Sequence, residues 1–296
     1  MPELILKHSV ARKIEQRINR LHNDLGYPAP PIDLDNIREL LEIDKRFYTL
    51  DDPHLLNRIA HSMIIAGKRI LNRPTRIWEA ICKFDIKAVY IPDEKSIFID
   101  DSLPEKKKRW AESHEIGHSL LLWHKDYLHG DPNNSLSISC KAKIEAEANY
   151  AAGQILFPAK FFRETLPSEQ SITLDYIQKT LSKEFGNSVT STLWRTVETL
   201  ETPCFGFISE NPHTIYSTVN DTPTRHFFRS PAFAEYYISV TEEHVWQYVS
   251  ANCSNKKWKI LDEEISIKDS NGDSHTFHIE TFNLTHYLAT FALCVR

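Results

Sequence analysis

Residues His114-Glu115-Ile116-Gly117-His118 form an HExxH motif inside the run WAESHEIGHSLLLW. On a helix, residues four apart are neighbours on one face, about 6 Å apart along the axis. Two imidazoles so placed can grip one Zn²⁺ from the same side. Glu115 lies about 100° round such a helix, where a carboxylate can take the proton of a metal-bound water. At this chain's own frequencies of His and Glu, about 0.05 HExxH matches arise by chance, so context also carries weight. The motif sits among Trp110, Leu120, Leu121 and Leu122, in an apolar helix that follows a strand.

A catalytic zinc needs a third protein ligand and an open position. His124 stands where the longer HExxHxxGxxH pattern has its third ligand, but Leu121 replaces the glycine that turns the chain back. If Leu-Leu-Trp continues the helix, His124 lies about 9 Å beyond His118 and roughly 240° round the axis. That reading makes it a solvated helix-end histidine. The next helix offers Glu145 and Glu147, about 200° apart, so they cannot both face one metal. Glu145 shares its side with Ala152 and Leu156 and is the better ligand. Glu147 flanks Lys143 and Gln154 and reads as a solvated charge. Cys140, five residues before Glu145, could place a thiolate in the metal's fourth position and hold the site latent. Tyr90, His124, Tyr127 and Tyr150 are all open candidates to stabilise an oxyanion.

The elements that must position these residues can be read from pattern. Val10, Ile14, Ile18 and Leu21 predict a helix over 9–24. A short helix capped by Asp33 or Asp35 runs through Leu41, and further helices are expected near 52–70 and 74–83. Strands at 87–91 and 96–99 have hairpin spacing, and edge strand 96–99 is placed to hold an extended substrate. Pro104 opens the motif helix, which is expected to reach Trp123. Another helix spans about 140–156. A helix–turn–helix-like pair follows, lined by Leu174, Ile177, Leu181 and Phe185, then Val189, Leu193 and Val197. Gly186 turns it and Ser188 caps its second helix. From Cys204 onward β-type runs dominate, and Asn271-Gly272 marks a hairpin.

These motifs resemble a known family. HEIGH, followed 27 residues after His118 by a helix reading ExEANYAAGQILFP, is similar to the ImmA/IrrE family of bacterial zinc metallopeptidases. The segment SIFIDDSLPEKKKRWAESHEIGH and the helix–turn–helix beyond Pro158 fit the same order. The resemblance covers roughly residues 30–200. It implies one Zn²⁺ per chain on His114, His118 and Glu145, with Glu115 as catalytic base. It implies a small helix–turn–helix transcriptional repressor as protein substrate, cut to release stress or phage-defence genes. The order of parts is similar to repressor-cleaving peptidases of anti-phage operons, in which Cys140 would act as an inhibitory switch. The expected fold is an α-rich HExxH zinc-peptidase domain with a small β-sheet (1–158) and a helix–turn–helix-like segment (159–200). An α+β, GAF-like regulatory domain (201–296) follows, gated by single-stranded DNA or a small molecule.

Composition bounds the alternatives. The chain has 296 residues, 41% hydrophobic and 25% charged, an ordinary folded composition. A net charge of −5 gives no global basic field for duplex DNA. No GxGxxG or P-loop occurs among only eight glycines, which argues against nucleotide chemistry. Five scattered cysteines without a CxxC pair argue against a disulfide framework and predict a reducing cytoplasm. No membrane span or signal peptide is expected. Residues 105–109 (EKKKR) read as a solvated charge run. Arg195 against Glu198 makes the second helix of the pair a poor DNA reader, which disfavours the competing reading, a non-catalytic DNA-binding regulator. Arg225-His226-Phe227-Phe228-Arg229 reads as core-edge packing ahead of a contact to single-stranded nucleic acid.

Overall fold

A computed structural model describes residues 4–49, 87–91, 94–124, 138–212, 223–253, 258–284 and 287–295, without the side chains of 138–141. The helices expected at 52–70 and 74–83 lie outside the described residues. The chain forms two compact units, one of Leu6–Ala159 with Phe185–Asn187 and one of Met1–Ile5, Lys160–Glu184 and Ser188–Arg296.

In the first unit, α1 (His8–Asp24) buries Ile14, Ile18 and Leu21, the stripe expected from its spacing. α2 (Leu34–Leu41) starts where the Asp33 side chain accepts the Asp35 N–H, and it ends at Glu42 with φ +55°. Strands β1 (Asp44–Tyr48), β2 (Ala88–Ile91) and β3 (Ser96–Asp100) form a sheet in the order β1-β3-β2. β2 and β3 make the expected antiparallel hairpin, with Tyr90 opposite Ile97. β1 was not expected, because DKRFY lacks an apolar alternation. It pairs parallel to β3, with Phe47 opposite Ile99. Residues 96–99 are therefore the buried centre of the sheet. The substrate edge expected there is corrected: among the described residues the edge strand packed on the motif helix is β2.

Helix α3 (Glu105–Leu120) carries the motif and packs on β2 and β3. Its basic start is not merely solvated, as the charge run suggested. Arg109 donates to the Ile32 carbonyl at 2.6 Å and to Asn187 Oδ1 at 3.2 Å, and Lys106 donates to the Asn187 carbonyl at 2.9 Å. Further along α3, buried Glu112 pairs with Arg38 at 2.6 Å and Lys45 at 3.3 Å, tying the helix to α2 and β1. Helix α4 (Ile138–Leu156) runs against both α1 and α3.

In the second unit, α5 (Ala159–Thr165, nearly all of it in this unit) precedes α6, a continuous run of Leu174–Tyr176, a π-helical Ile177–Leu181 and Ser182–Glu184. α7 (Val189–Thr199) begins where Ser188 accepts the Ser191 N–H, as its sequence predicts. Arg195 is buried against the Phe162 ring, 5.7 Å from its centroid, so it faces core and not solvent. The sheet that follows has β4 (Cys204–Ser209), β5 (Thr224–Arg229), β6 (Lys259–Lys268), β7 (Ser274–Leu284) and β8 (Tyr287–Cys294). Its order is β5-β4-β8-β7-β6, with every pair antiparallel. α8 (Pro231–Tyr236) and α9 (Glu242–Asn252) connect β5 to β6.

Strand alternation divides the burial between two faces. Phe205, Phe207, Phe227, Phe277 and Ile279 meet Phe233, Val245 and Val249 of α8 and α9. The opposite face receives α6 and α7: Trp194 stacks on Phe228 at 4.7 Å, and a Cβ on Gly206 would meet Leu193 at 2.9 Å. Both phenylalanines of the Arg-His-Phe-Phe-Arg segment are core. The Asn271-Gly272 hairpin joins β6 to β7, with Gly272 at φ +92°.

His22, on the α1–α4 contact, is 1% exposed, and its Nε2 donates to the Gln154 carbonyl at 3.3 Å. Desolvation lowers its pKa, partly opposed by that hydrogen bond. Above the free value of 6.5 the neutral ring fits, whereas below it the unfolded chain binds the extra proton. Acidification from pH 7 to 5.5 is thus expected to weaken the wild type relative to His22→Phe, by at most about 1.4 kcal/mol per pH unit. Urea midpoints across this range check it; equal pH slopes for both proteins would refute it.

Candidate metal centre

The motif occupies the last two turns of α3, where four-residue spacing stacks its two imidazoles. The His114 and His118 rings have centroids 4.8 Å apart, and their Nε2 atoms are separated by 3.2 Å. Glu145 reaches across from α4, with Oε2 at 3.3 Å from His114 Nε2. The three donor atoms lie within 4.8 Å of one another, a group able to hold a metal ion. His118 is buried, whereas the Glu145 side chain is 46% exposed, so the cluster has a wall on one side and an opening on the other.

The approach of the two helices depends on Gly117. A Cβ there would stand 3.1 Å from the Ala148 carbonyl oxygen and 3.1 Å from the Ala151 Cβ. Small residues on both surfaces bring the backbones close enough for the short reach of Glu145 to close on His114.

Electrostatics fits a cation. Burial disfavours the His114 imidazolium, but the hydrogen bond to Glu145 and the charges of Glu115 and Glu145 outweigh it. The His114 pKa stands above the ordinary histidine value. The other nitrogen, Nδ1, lies 2.9 Å from Asn149 Oδ1. Because that oxygen only accepts, Nδ1 carries the proton and Nε2 is turned toward the cluster. Two imidazoles, one carboxylate and a preference for positive charge match a divalent ion of the zinc class.

Glu115 is buried beside this group, and its Oε2 accepts the Tyr90 N–H of β2 at 2.8 Å. One strand backbone thus anchors the carboxylate that the motif singles out.

Two expectations are corrected. α3 ends at Leu120, and Leu121 leaves helical geometry at φ −88°, ψ 89°. A single 3₁₀ turn, Leu122–His124, then brings His124 back. His124 is fully buried, with Nδ1 at 3.0 Å from His118 Nδ1. It is not a solvated helix end, and the turn forms without the glycine that the longer pattern uses. Glu147 is not a solvated charge either. It is 3% exposed, accepts from Trp123 Nε1 at 2.6 Å and lies 3.1 Å from His124 Nε2. Those hydrogen bonds, with the nearby Lys143 ammonium, outweigh desolvation and hold its carboxyl below the usual range.

Of the oxyanion candidates, His124 is engaged as above, and the Tyr150 hydroxyl donates to Glu15 at 2.6 Å. Tyr90 lies on β2 next to the Glu115 anchor. Tyr127 and the Cys140 side chain lie outside the described residues. Sequence reasoning missed Asn149, although its place four residues after Glu145 on one helix face was a usable signal.

Residues 79–196 match the family described as IrrE N-terminal-like domain, Peptidase_M78, a metallopeptidase-type family. No curated protein matches the chain. A solved structure titled "Mycobacterium tuberculosis transcriptional regulator" is similar in fold, with a TM-score of 0.52 and 15% identity over 98% of this chain and 89% of that one. Among the described residues no helix is long and apolar enough to cross a membrane.

Gly117→Val tests the close approach. It is expected to destabilise the fold by about 1–3 kcal/mol through overpacking and to weaken metal uptake. Denaturant midpoints and chelator competition check both; a variant unchanged in each would show that the approach is dispensable.

Proposed function

We propose that this chain is a site-specific zinc endopeptidase that cleaves a small helix–turn–helix transcriptional repressor. The observation that carries the reading is the cluster of His114, His118 and Glu145 donors within 4.8 Å, with Glu115 buried on the same helix. The metallopeptidase-type match over 79–196 supports a protein substrate. His114, His118 and Glu145 would hold one Zn²⁺, which when bound supplies Lewis acidity and lowers the pKa of water toward 7.

The chain's own residues do the rest. Glu115, held by the Tyr90 N–H at 2.8 Å, takes the proton of the attacking water and delivers it to the leaving amine nitrogen. Among the described residues β2 lies at the edge of its sheet, where an extended substrate can lie along it. The functional division assigned is a peptidase domain over 1–158, a helix–turn–helix-like segment over 159–200 and a GAF-like regulatory domain over 201–296. Single-stranded DNA or a small molecule is the assigned activator. The specific class assigned is the CapP type, a cytoplasmic regulator of phage-defence or DNA-damage genes. In it Cys140 is an inhibitory fourth ligand. Burial of Arg195 counts against the competing DNA-binding reading, since that cation is not available to phosphates.

Glu115→Gln is expected to keep the fold and the metal yet slow cleavage of a co-expressed repressor by about 10²- to 10⁴-fold. Cleavage at the wild-type rate would end the enzyme reading. Cys140→Ser is expected to cut without oxidant or other signal; a variant as latent as the wild type would remove the switch.

A further inference from the structure

The groups behind His118 form a buried line that the peptidase reading does not use. His118 Nδ1 lies 3.0 Å from His124 Nδ1, and His124 Nε2 lies 3.1 Å from Glu147 Oε2. Trp123 Nε1 donates to the same carboxylate oxygen at 2.6 Å, and Lys143 stands 3.7 Å from its other oxygen. His118, His124 and Glu147 are each 5% exposed or less. Water is therefore a poor substitute for any partner in the line.

With His124 neutral, the line has one arrangement of protons. A carboxylate only accepts, so His124 Nε2 carries its hydrogen and donates to Glu147. A neutral imidazole then has a lone pair on the other nitrogen, so His124 Nδ1 accepts. Its neighbour His118 Nδ1 must donate, which leaves the His118 lone pair on Nε2. That atom faces His114 and the donor cluster. The direction of the line is set at its far end, where two N–H groups converge on one oxygen of Glu147.

We propose that His124 and Glu147 are positioning residues that fix His118 in its Nδ1–H tautomer and aim its Nε2 lone pair at the metal. This inference rests on the metal reading above. It assigns to the second carboxylate of α4 a task distinct from that of Glu145. Partners of this kind typically contribute about 10- to 100-fold to metal affinity, because they select the binding-competent tautomer and hold the ring in place. It also explains why the chain reverses at Leu121: the turn delivers His124 to the back of His118, not to the metal.

The test is made first on metal-free protein labelled with ¹⁵N-histidine, where long-range ¹H–¹⁵N spectra identify the tautomer of each ring. Wild-type His118 is expected to be protonated on Nδ1, and a His118 protonated on Nε2 would overturn the proposal. His124→Phe keeps the ring and removes the acceptor, so His118 is expected to shift to Nε2–H. Zinc affinity, read by chelator competition, is expected to fall about 10- to 100-fold. Glu147→Leu is expected to behave like His124→Phe. Glu147→Gln keeps an accepting oxygen and is expected to stay within a few-fold of wild type. Equal affinities for wild type, His124→Phe and Glu147→Leu would overturn the proposal, as would a Gln variant as weak as the Leu variant. A wild type that takes up no zinc, or takes it up independently of His114, would count against the metal reading itself. The tautomer measurement, made without metal, would still decide the relay.

Discussion

The spacing between α3 and α4 at Gly117 is the constraint on which the site depends. With no side chain at this position, the α3 backbone lies against Ala148 and Ala151. Every polar link across the interface uses that proximity. Ser113 reaches the Ala152 carbonyl, His114 reaches Asn149 and Glu145, and Trp123 and His124 reach Glu147. On α4, Ala148 and Ala151 supply the contact, and Glu145, Glu147 and Asn149 around them supply the chemistry. A wider gap would leave buried polar groups unpaired, at about 1–3 kcal/mol each. Packing and chemistry are therefore one requirement in this interface.

Much of this was legible in advance, and the reasons for the failures are specific. HEIGH identifies its own geometry because helix periodicity alone puts His114 and His118 together. Glu145 was singled out by placing it on the apolar side of α4, whereas its side chain is 46% exposed and reaches His114 from the open side of the cluster. Glu147 was misjudged by sorting residues into core or solvent. A buried carboxylate surrounded by donors belongs to neither, and its partners come from a turn with no sequence signal. Leu121 takes a non-helical conformation that glycine would have advertised and leucine does not. β1 was invisible because DKRFY carries no apolar alternation, and only Tyr48 of it is buried. Without β1, strand 96–99 had to look like an edge.

In the C-terminal unit the β-type runs from Cys204 onward and the Asn271-Gly272 turn were the legible signals. In the structure Phe205, Phe207, Phe227 and Phe277 share one side of the sheet, covered by helices α8 and α9. For the other side the sequence showed the apolar lining of the two helices, Leu193 included, but not that it packs on the sheet.

That other side carries a consequence for how the protein comes apart. Glu280, buried in β7, accepts the Leu174 N–H at the start of α6 at 2.6 Å, while Lys259 holds its second oxygen at 2.9 Å. Together with Trp194 on Phe228 and Leu193 over Gly206, this joins α6 and α7 to the sheet as one cooperative folding block. Amides of α7 and of the central strands should then exchange with solvent through a shared opening event. A truncation after residue 200 would strip α7 of the surface that buries it.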